Sequence, residues 1–169
     1  LNNIFDKNLL KYTIKETKKF RLNKTKIVVF GTGGSNLGAR ALDNILVNKE
    51  TEMVFYDNID PLFFEKSFTN INFKSTGFLI ISKSGSTPET LAQFSSIYQV
   101  AYQTNNLNEF LSNLLIITEF KDSPLHNIAK QNDCLLLEHN DNIGGRYSVF
   151  SNVGIVPAII SGIDITKLY

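Results

Sequence analysis

Five short apolar runs recur along the chain: IVVF at 27–30, MVFY at 53–56, FLII at 78–81, LLII at 114–117 and CLLL at 134–137. Each is about a strand long, several are rich in β-branched or aromatic residues, and none alternates polar with apolar positions. Strands buried on both faces have this pattern, which predicts a parallel sheet covered by helices. Between the runs the period changes. Leu37, Ala41 and Ile45 recur every four residues, with Leu42 and Leu46 beside them, and predict an amphipathic helix over NLGARALDNIL. Pro61 can open a short helix through FFEKSF. Leu91, Phe94, Tyr98, Ala101 and Tyr102 mark one face of a helix from about 88 to 103. Thr87 is placed as its N-cap, Pro88 at the first helical position and Glu89 near the positive end. Ser123 before PLHNIAK repeats the cap-then-Pro pattern, and the opening residues through about Arg21 read as a Lys-rich helix. Residues 105–112, NNLNEFLS, are polar and Asn-rich and read as a loop or a weak extra turn. The alternation predicts an α/β fold: an open, doubly wound, three-layer αβα sandwich on a five-stranded parallel sheet. An N-terminal helical segment, 1–24, precedes a binding domain at 25–169.

Composition narrows the function classes. A length of 169 residues suits one domain, and 43% hydrophobic with 20% charged residues is ordinary for a globular one. A net charge of +1 offers no argument for a nucleic-acid or membrane partner, so neither is expected. The single cysteine, Cys134, cannot build a disulfide framework within one chain, which favours a reducing compartment. No apolar run approaches the roughly 18 residues of a membrane span, and the N-terminus has no signal-peptide pattern. The expected location is cytoplasmic.

In doubly wound folds, ligands bind beyond the carboxyl ends of the strands, near helix N-termini. Two polar loops fall there. The first, Gly31-Thr32-Gly33-Gly34-Ser35-Asn36-Leu37-Gly38, follows the first run. Its glycines permit a sharp turn and a close approach, and the helix after it offers free N–H groups to a phosphate. A dinucleotide fingerprint needs Gly where Asn36 stands, although Asp57 ends the second run where a ribose-binding acid would sit. A monophosphate tolerates the spacing better, with Ser35 as a donor. A P-loop is excluded because no Gly-Lys-Ser/Thr follows. A tight strand–helix turn with no ligand is the plain alternative.

The second loop, SKSGSTPET at 82–90, carries Ser82, Ser84, Ser86 and Thr87 as hydroxyl donors, Gly85 for an unusual backbone angle, and a helix start at Pro88. No acid lies between 82 and 88 to repel a dianion. A nucleophilic serine would need a base and an elbow such as G-x-S-x-G. The order here is Ser-Gly-Ser, and His126 and His139 read as ordinary surface or half-buried histidines. Caps and turns would also account for several of the hydroxyls.

Residues 144–154, GGRYSVFSNVG, put two glycines before Arg146, a bend that presents a guanidinium suited to oxyanions. A turn with a surface arginine is the plain alternative. Taken together, GTGGSNLG, SKSGSTPET and GGRYSVFSNVGIVPAIISGIDI resemble, in order, the conserved segments of the phosphoglucose isomerase family, a member of the sugar-isomerase (SIS) superfamily. The resemblance spans residues 27 to about 165. It implies a flavodoxin-like SIS domain and aldose–ketose isomerisation of glucose 6-phosphate and fructose 6-phosphate through a cis-enediol, without cofactor or metal. It implies that Ser82, Ser84 and Thr87 hold the phosphate, with the backbone of Lys83 and Ser86 nearby. Gly34 and Ser35 would face the sugar and phosphate. Arg146 would be catalytic, stabilising enediolate charge beside C1 and C2. The family's second SIS domain, its proton-moving glutamate and its ring-opening histidine and lysine lie downstream of the GGRYS region, and this sequence stops before them. The chain is therefore expected to bind a sugar phosphate without turning it over, and the full-length protein to be a homodimer. A non-catalytic phosphosugar-binding SIS module and an NAD-binding Rossmann domain are the alternatives.

Overall fold

The computed structural model describes residues 7–45 and 51–165, apart from the side chains of residues 145 and 146. Five strands form one sheet: β1 (Lys26–Phe30), β2 (Glu52–Tyr56), β3 (Thr76–Ile81), β4 (Leu114–Thr118) and β5 (Leu135–Glu138). The order is β2-β1-β3-β4-β5 and every pairing is parallel. Seven helices accompany it: α1 (Lys7–Arg21), α2 (Gly34–Asp43), α3 (Pro61–Phe68), α4 (Pro88–Gln103), α5 (Leu107–Ser112), α6 (Pro124–Gln131) and α7 (Asn152–Ser161). A 3-10 helix, Gly145–Phe150, precedes α7. This is the doubly wound αβα sandwich that the run-and-helix alternation predicts.

Every residue of β3 and β4 is buried, which is why their sequences do not alternate. On one face, Phe30, Phe78, Ile80 and Ile116 pack against Phe64 and Phe68 of α3, Phe94 and Ile97 of α4, and Phe110 of α5. On the other, Val29, Leu79, Ile81 and Ile117 meet Val153, Val156 and Ile160 of α7. All ten residues of α7 are buried. Its far side, Ile155, Ala158 and Ile159, is covered by Leu10 and Ile14 of α1 and Leu42 of α2. Polar bonds fix this outer pair. Thr13 Oγ1 donates to Asn152 Oδ1 at 3.0 Å, and Ser161 Oγ donates to Asp43 Oδ1 at 2.8 Å.

Helix starts follow their sequence signals. Asp60 caps α3, its carboxylate accepting from the N–H of Leu62 at 3.0 Å, with Pro61 at the first turn. Ser123 Oγ accepts from the N–H of His126 at 3.4 Å and caps α6.

Three expectations are corrected. Leu37 and Ala41 of α2 face outward, and Ile45 lies past the end of the helix; Leu37 is 65% and Ile45 68% exposed. Helix α2 packs on α7 through Leu42, which the sequence pattern does include, and through the Asp43–Ser161 bond, which hydrophobic periodicity does not detect; Ala39 is buried as well. Leu46 lies outside the described residues. Residues 107–112 form α5, because Phe110 is completely buried against Phe78 and Phe94. In α4, Phe94 and Ala101 point inward as expected, but Ile97 completes that face and Tyr102 stays exposed. Buried Gln93 turns the helix this way, donating to Tyr56 O at 3.2 Å and Asn58 O at 2.8 Å beyond the end of β2. Among the described residues, no helix is long and apolar enough to cross a membrane.

Candidate functional site

Strands β1 and β3 lie side by side but are separated in the chain by β2. The connections that leave them diverge, which makes their carboxyl ends the switch point of the sheet. Both polar loops emerge there. A Cβ on Gly31 would stand 3.0 Å from the carbonyl oxygen of Ile81, so the two loops start in contact. The second loop turns at Gly85, whose φ of +65° disfavours any residue with a side chain. Gly85 is wedged over α6: Leu125 N–H donates to its carbonyl at 3.1 Å, and a Cβ there would overlap the Ser123 hydroxyl.

Within the second loop the hydroxyls form a connected set. Ser82 Oγ and Thr87 Oγ1 are 2.8 Å apart, and Ser84 Oγ is 3.5 Å from Thr87 Oγ1. The N–H and hydroxyl of Ser86 each donate to Ser84 Oγ at 3.2 Å. Thr87 occupies the cap position of α4, yet its side chain makes no capping bond and joins this set instead. Ser82 is buried beneath the loop, whereas Ser84 and Ser86 are exposed.

A cleft of about 370 Å³ opens between the loops. Of the predicted site residues, Gly34, Ser35, Lys83, Ser84 and Thr87 line it, and Ser82 and Ser86 do not. Thr32, Glu119 and His139 line it as well, and were not singled out as site residues from the sequence. Glu119 and His139 are the first residues past β4 and β5. Their signal was positional: they stand at strand carboxyl ends beside the switch point. The cleft thus contains an acid that the loop sequence alone does not show. Glu119 is flanked by ammonium groups, Lys121 Nζ at 3.2 Å and Lys83 Nζ at 3.9 Å.

His139 is almost fully buried. Its Nδ1 is 3.2 Å from the carbonyl of Asn140, a bond that fits a neutral ring donating through Nδ1–H; Nε2 has no partner among the described residues. Burial holds the imidazole below the ordinary histidine value; the bond to Asn140 works the other way, nearby Lys83 lowers it further and Glu119 opposes.

The Gly-Gly-Arg segment adjoins both loops. Ser148 Oγ donates to Gly34 O at 3.4 Å, and Lys83 Nζ donates to the carbonyls of Asp141 at 2.7 Å and Ile143 at 3.1 Å. Arg146 is the second residue of the 3-10 helix, and its side chain lies outside the described part.

Competing chemistries fit less well. Asn36 is buried and donates from Nδ2 to Gly31 O at 3.2 Å, filling the space a dinucleotide fingerprint leaves to glycine. Asp57 is paired with Arg40 Nη1 at 2.8 Å. Among the described residues, no hydroxyl of the second loop is bonded to a histidine, as a nucleophilic serine would need. Cys134 precedes β5 at the opposite end of the sheet; burial and neighbouring Asp133 push its thiol up to about 11.

The cleft sits where the fold places ligands. The family model of phosphoglucose isomerase matches residues 16–168. The chain is 33% identical to the glucose-6-phosphate isomerase of Methanocaldococcus jannaschii over 98% of its own length and 38% of the relative's. It is 34% identical to that of Campylobacter jejuni, covering 84% of this chain and 35% of that one. The crystal structure of a glucose-6-phosphate isomerase from Chlamydia trachomatis superposes with a TM-score of 0.79 at 26% identity, over 92% of this chain and 30% of that one. The chain therefore spans less than two fifths of the length of these relatives.

Proposed function

Because the chain belongs to the phosphoglucose isomerase family, we propose that it forms the phosphate-holding and oxyanion part of an active site that interconverts glucose 6-phosphate and fructose 6-phosphate. The observation that carries this reading is the meeting of the two loops in one cleft at the switch point, with residues on either side of Gly144-Gly145-Arg146 bonded to them: Asp141 and Ile143 to Lys83, and Ser148 to Gly34.

The chemistry divides along the cleft. The hydroxyls of Ser35, Ser84 and Thr87 and the N–H groups of the second loop donate to the phosphate oxygens, and the start of α4 adds its dipole. Ser82, buried and bonded to Thr87, orients the hydroxyl above it. The Ser86 N–H and hydroxyl, now donating to Ser84, are donors that an anion recruits. Gly34, which lines the cleft, faces the sugar. Arg146 stands by C1 and C2 and stabilises the charge of the cis-enediolate, a fixed cation at a developing oxyanion. Isomerisation also needs a base that moves a proton between C1 and C2. Glu119, already flanked by two ammonium groups, is not assigned that role. The base comes from outside this stretch, and the two-domain homodimer of the intact protein completes the site in the cytoplasm.

The direct test is calorimetric titration of the intact protein with fructose 6-phosphate. Ser84→Ala combined with Thr87→Ala should weaken binding at least about tenfold, since each removes a donor to a charged oxygen. Unchanged affinity would show that the second loop is not the phosphate site.

A further inference from the structure

The lysine of the hydroxyl loop is engaged with backbone. An ammonium has three donors. Those of Lys83 reach Asp141 O at 2.7 Å and Ile143 O at 3.1 Å, with Glu119 Oε1 at 3.9 Å. Both carbonyls belong to the segment that connects β5 to Gly144-Gly145-Arg146, and Ile143 stands three residues before the arginine. The main chain of Lys83 is held from the other side: its carbonyl accepts from the Glu119 N–H at 3.0 Å and from Thr118 Oγ1 at 3.3 Å. Lys121 adds a second tie, lying 3.2 Å from Glu119 and 3.8 Å from Asp141. One residue therefore has its backbone in the phosphate loop and its side chain on the arginine segment.

The geometry points to Lys83 as a positioning residue that couples the two ends of the cleft. This inference rests on the sugar-phosphate reading above. The strap fixes the 140–144 turn, whose own bonds are short-range ones centred on Asn140 (Ile143 N–H to Asn140 O, 3.2 Å; Asn142 N–H to Asn140 Oδ1, 2.9 Å). It thereby sets where the 3-10 helix bearing Arg146 begins. A phosphate that orders the second loop orders the root of this strap with it, and the order is passed to the arginine. Charge-assisted bonds to two carbonyls suit that task, because they hold firmly and can be replaced by another cation of similar reach.

The test uses the intact protein, Lys83→Met and Lys83→Arg, and sorbitol 6-phosphate, a hexitol phosphate with no carbonyl to isomerise. In the wild type, the ligand should slow hydrogen exchange at amides of 84–87 and also at 142–147. In Lys83→Met the protection should remain at 84–87 and disappear at 142–147. The turnover number should fall about tenfold or more with KM changing less, and Lys83→Arg should restore most of both. Protection at 142–147 that survives in Lys83→Met, or equal losses in kcat and affinity without rescue by arginine, overturns the coupling alone. No protection at 84–87 in the wild type overturns the sugar-phosphate reading, and the coupling with it. Because Lys121 still flanks Glu119 in Lys83→Met, the variant does not strand that carboxylate.

Discussion

His139 shows how one residue can tie the candidate site to the pH dependence of the fold. Its ring is buried and held below the ordinary histidine value. At high pH the imidazole is neutral in both folded and unfolded chains and contributes no pH dependence. As the pH falls through about 6.5 the unfolded chain takes up a proton that the folded one resists. Stability should therefore decline below that point, by up to about 1.4 kcal/mol per pH unit, until the lowered folded value is reached. Urea midpoints at pH 7.5 and 5.5 check this. His139→Gln should lose less stability between the two than the wild type, and equal losses would remove burial of this ring as the cause. Neither His139 nor Glu119 was legible as a site residue in the sequence. Each is a single polar residue beyond an apolar run, and only the packing of β4 and β5 beside β3 brings them to the cleft. The second loop was legible because its hydroxyls are adjacent in the chain, and such density is rare without a ligand or a cap to serve.

At the scale of elements, burial decides what hydrophobicity alone does not. Leu37 inverts the facing expected of its helix, and the burial of Phe110 makes a short helix of a segment read as a loop or weak extra turn. Leu37→Ser should change thermal stability by less than about 0.5 kcal/mol, since the side chain is exposed on the outer face of α2. Phe110→Ala should cost about 3–5 kcal/mol, because it empties a site shared by Phe73, Phe78 and Phe94. Denaturant unfolding of the two variants side by side tests the packing of α2 and α5 together; similar losses in both would show it to be misjudged. The strands were readable because burial on both faces leaves an uninterrupted apolar run. Helix α4 was readable in extent through its Pro88 start, but its rotation was not, since a buried Gln93 with backbone partners looks polar in sequence. Helix α2 was readable in position and misread in facing, because its partner is another helix, met through Leu42 and the Asp43–Ser161 bond.

At the scale of the molecule, the proposed function makes the cleft a half-site: donors for a phosphate, a segment carrying an arginine, and a base supplied from elsewhere. The 169-residue chain prepared alone should bind sorbitol 6-phosphate by titration and show no isomerase turnover in a coupled assay. A missing general base alone lowers rate by about 10²–10⁴. Measurable turnover by this stretch would require a base among the residues described here, and Glu119 would be the first to substitute. The doubly wound, all-parallel architecture was the most legible feature of all, since strand–helix alternation and unbroken apolar runs call for it, whereas the strand order β2-β1-β3-β4-β5 is set by packing. That Lys83 straps the arginine segment was not readable, because its partners are backbone carbonyls some 60 residues away that no side-chain pattern marks.

The enclosure of α7 also bears on how the protein is made. Synthesis delivers α1, α2 and all five strands before the helix that separates them. Until residues 152–161 emerge, Val29, Leu79, Ile81 and Ile117 have no α7 to cover them, and Thr13 and Asp43 lack the partners they meet at Asn152 and Ser161. The growing chain must therefore carry a sheet with one greasy face uncovered until that helix emerges. Until a wholly buried and mostly apolar helix closes that face, a nascent chain of this fold is open to aggregation or to a chaperone.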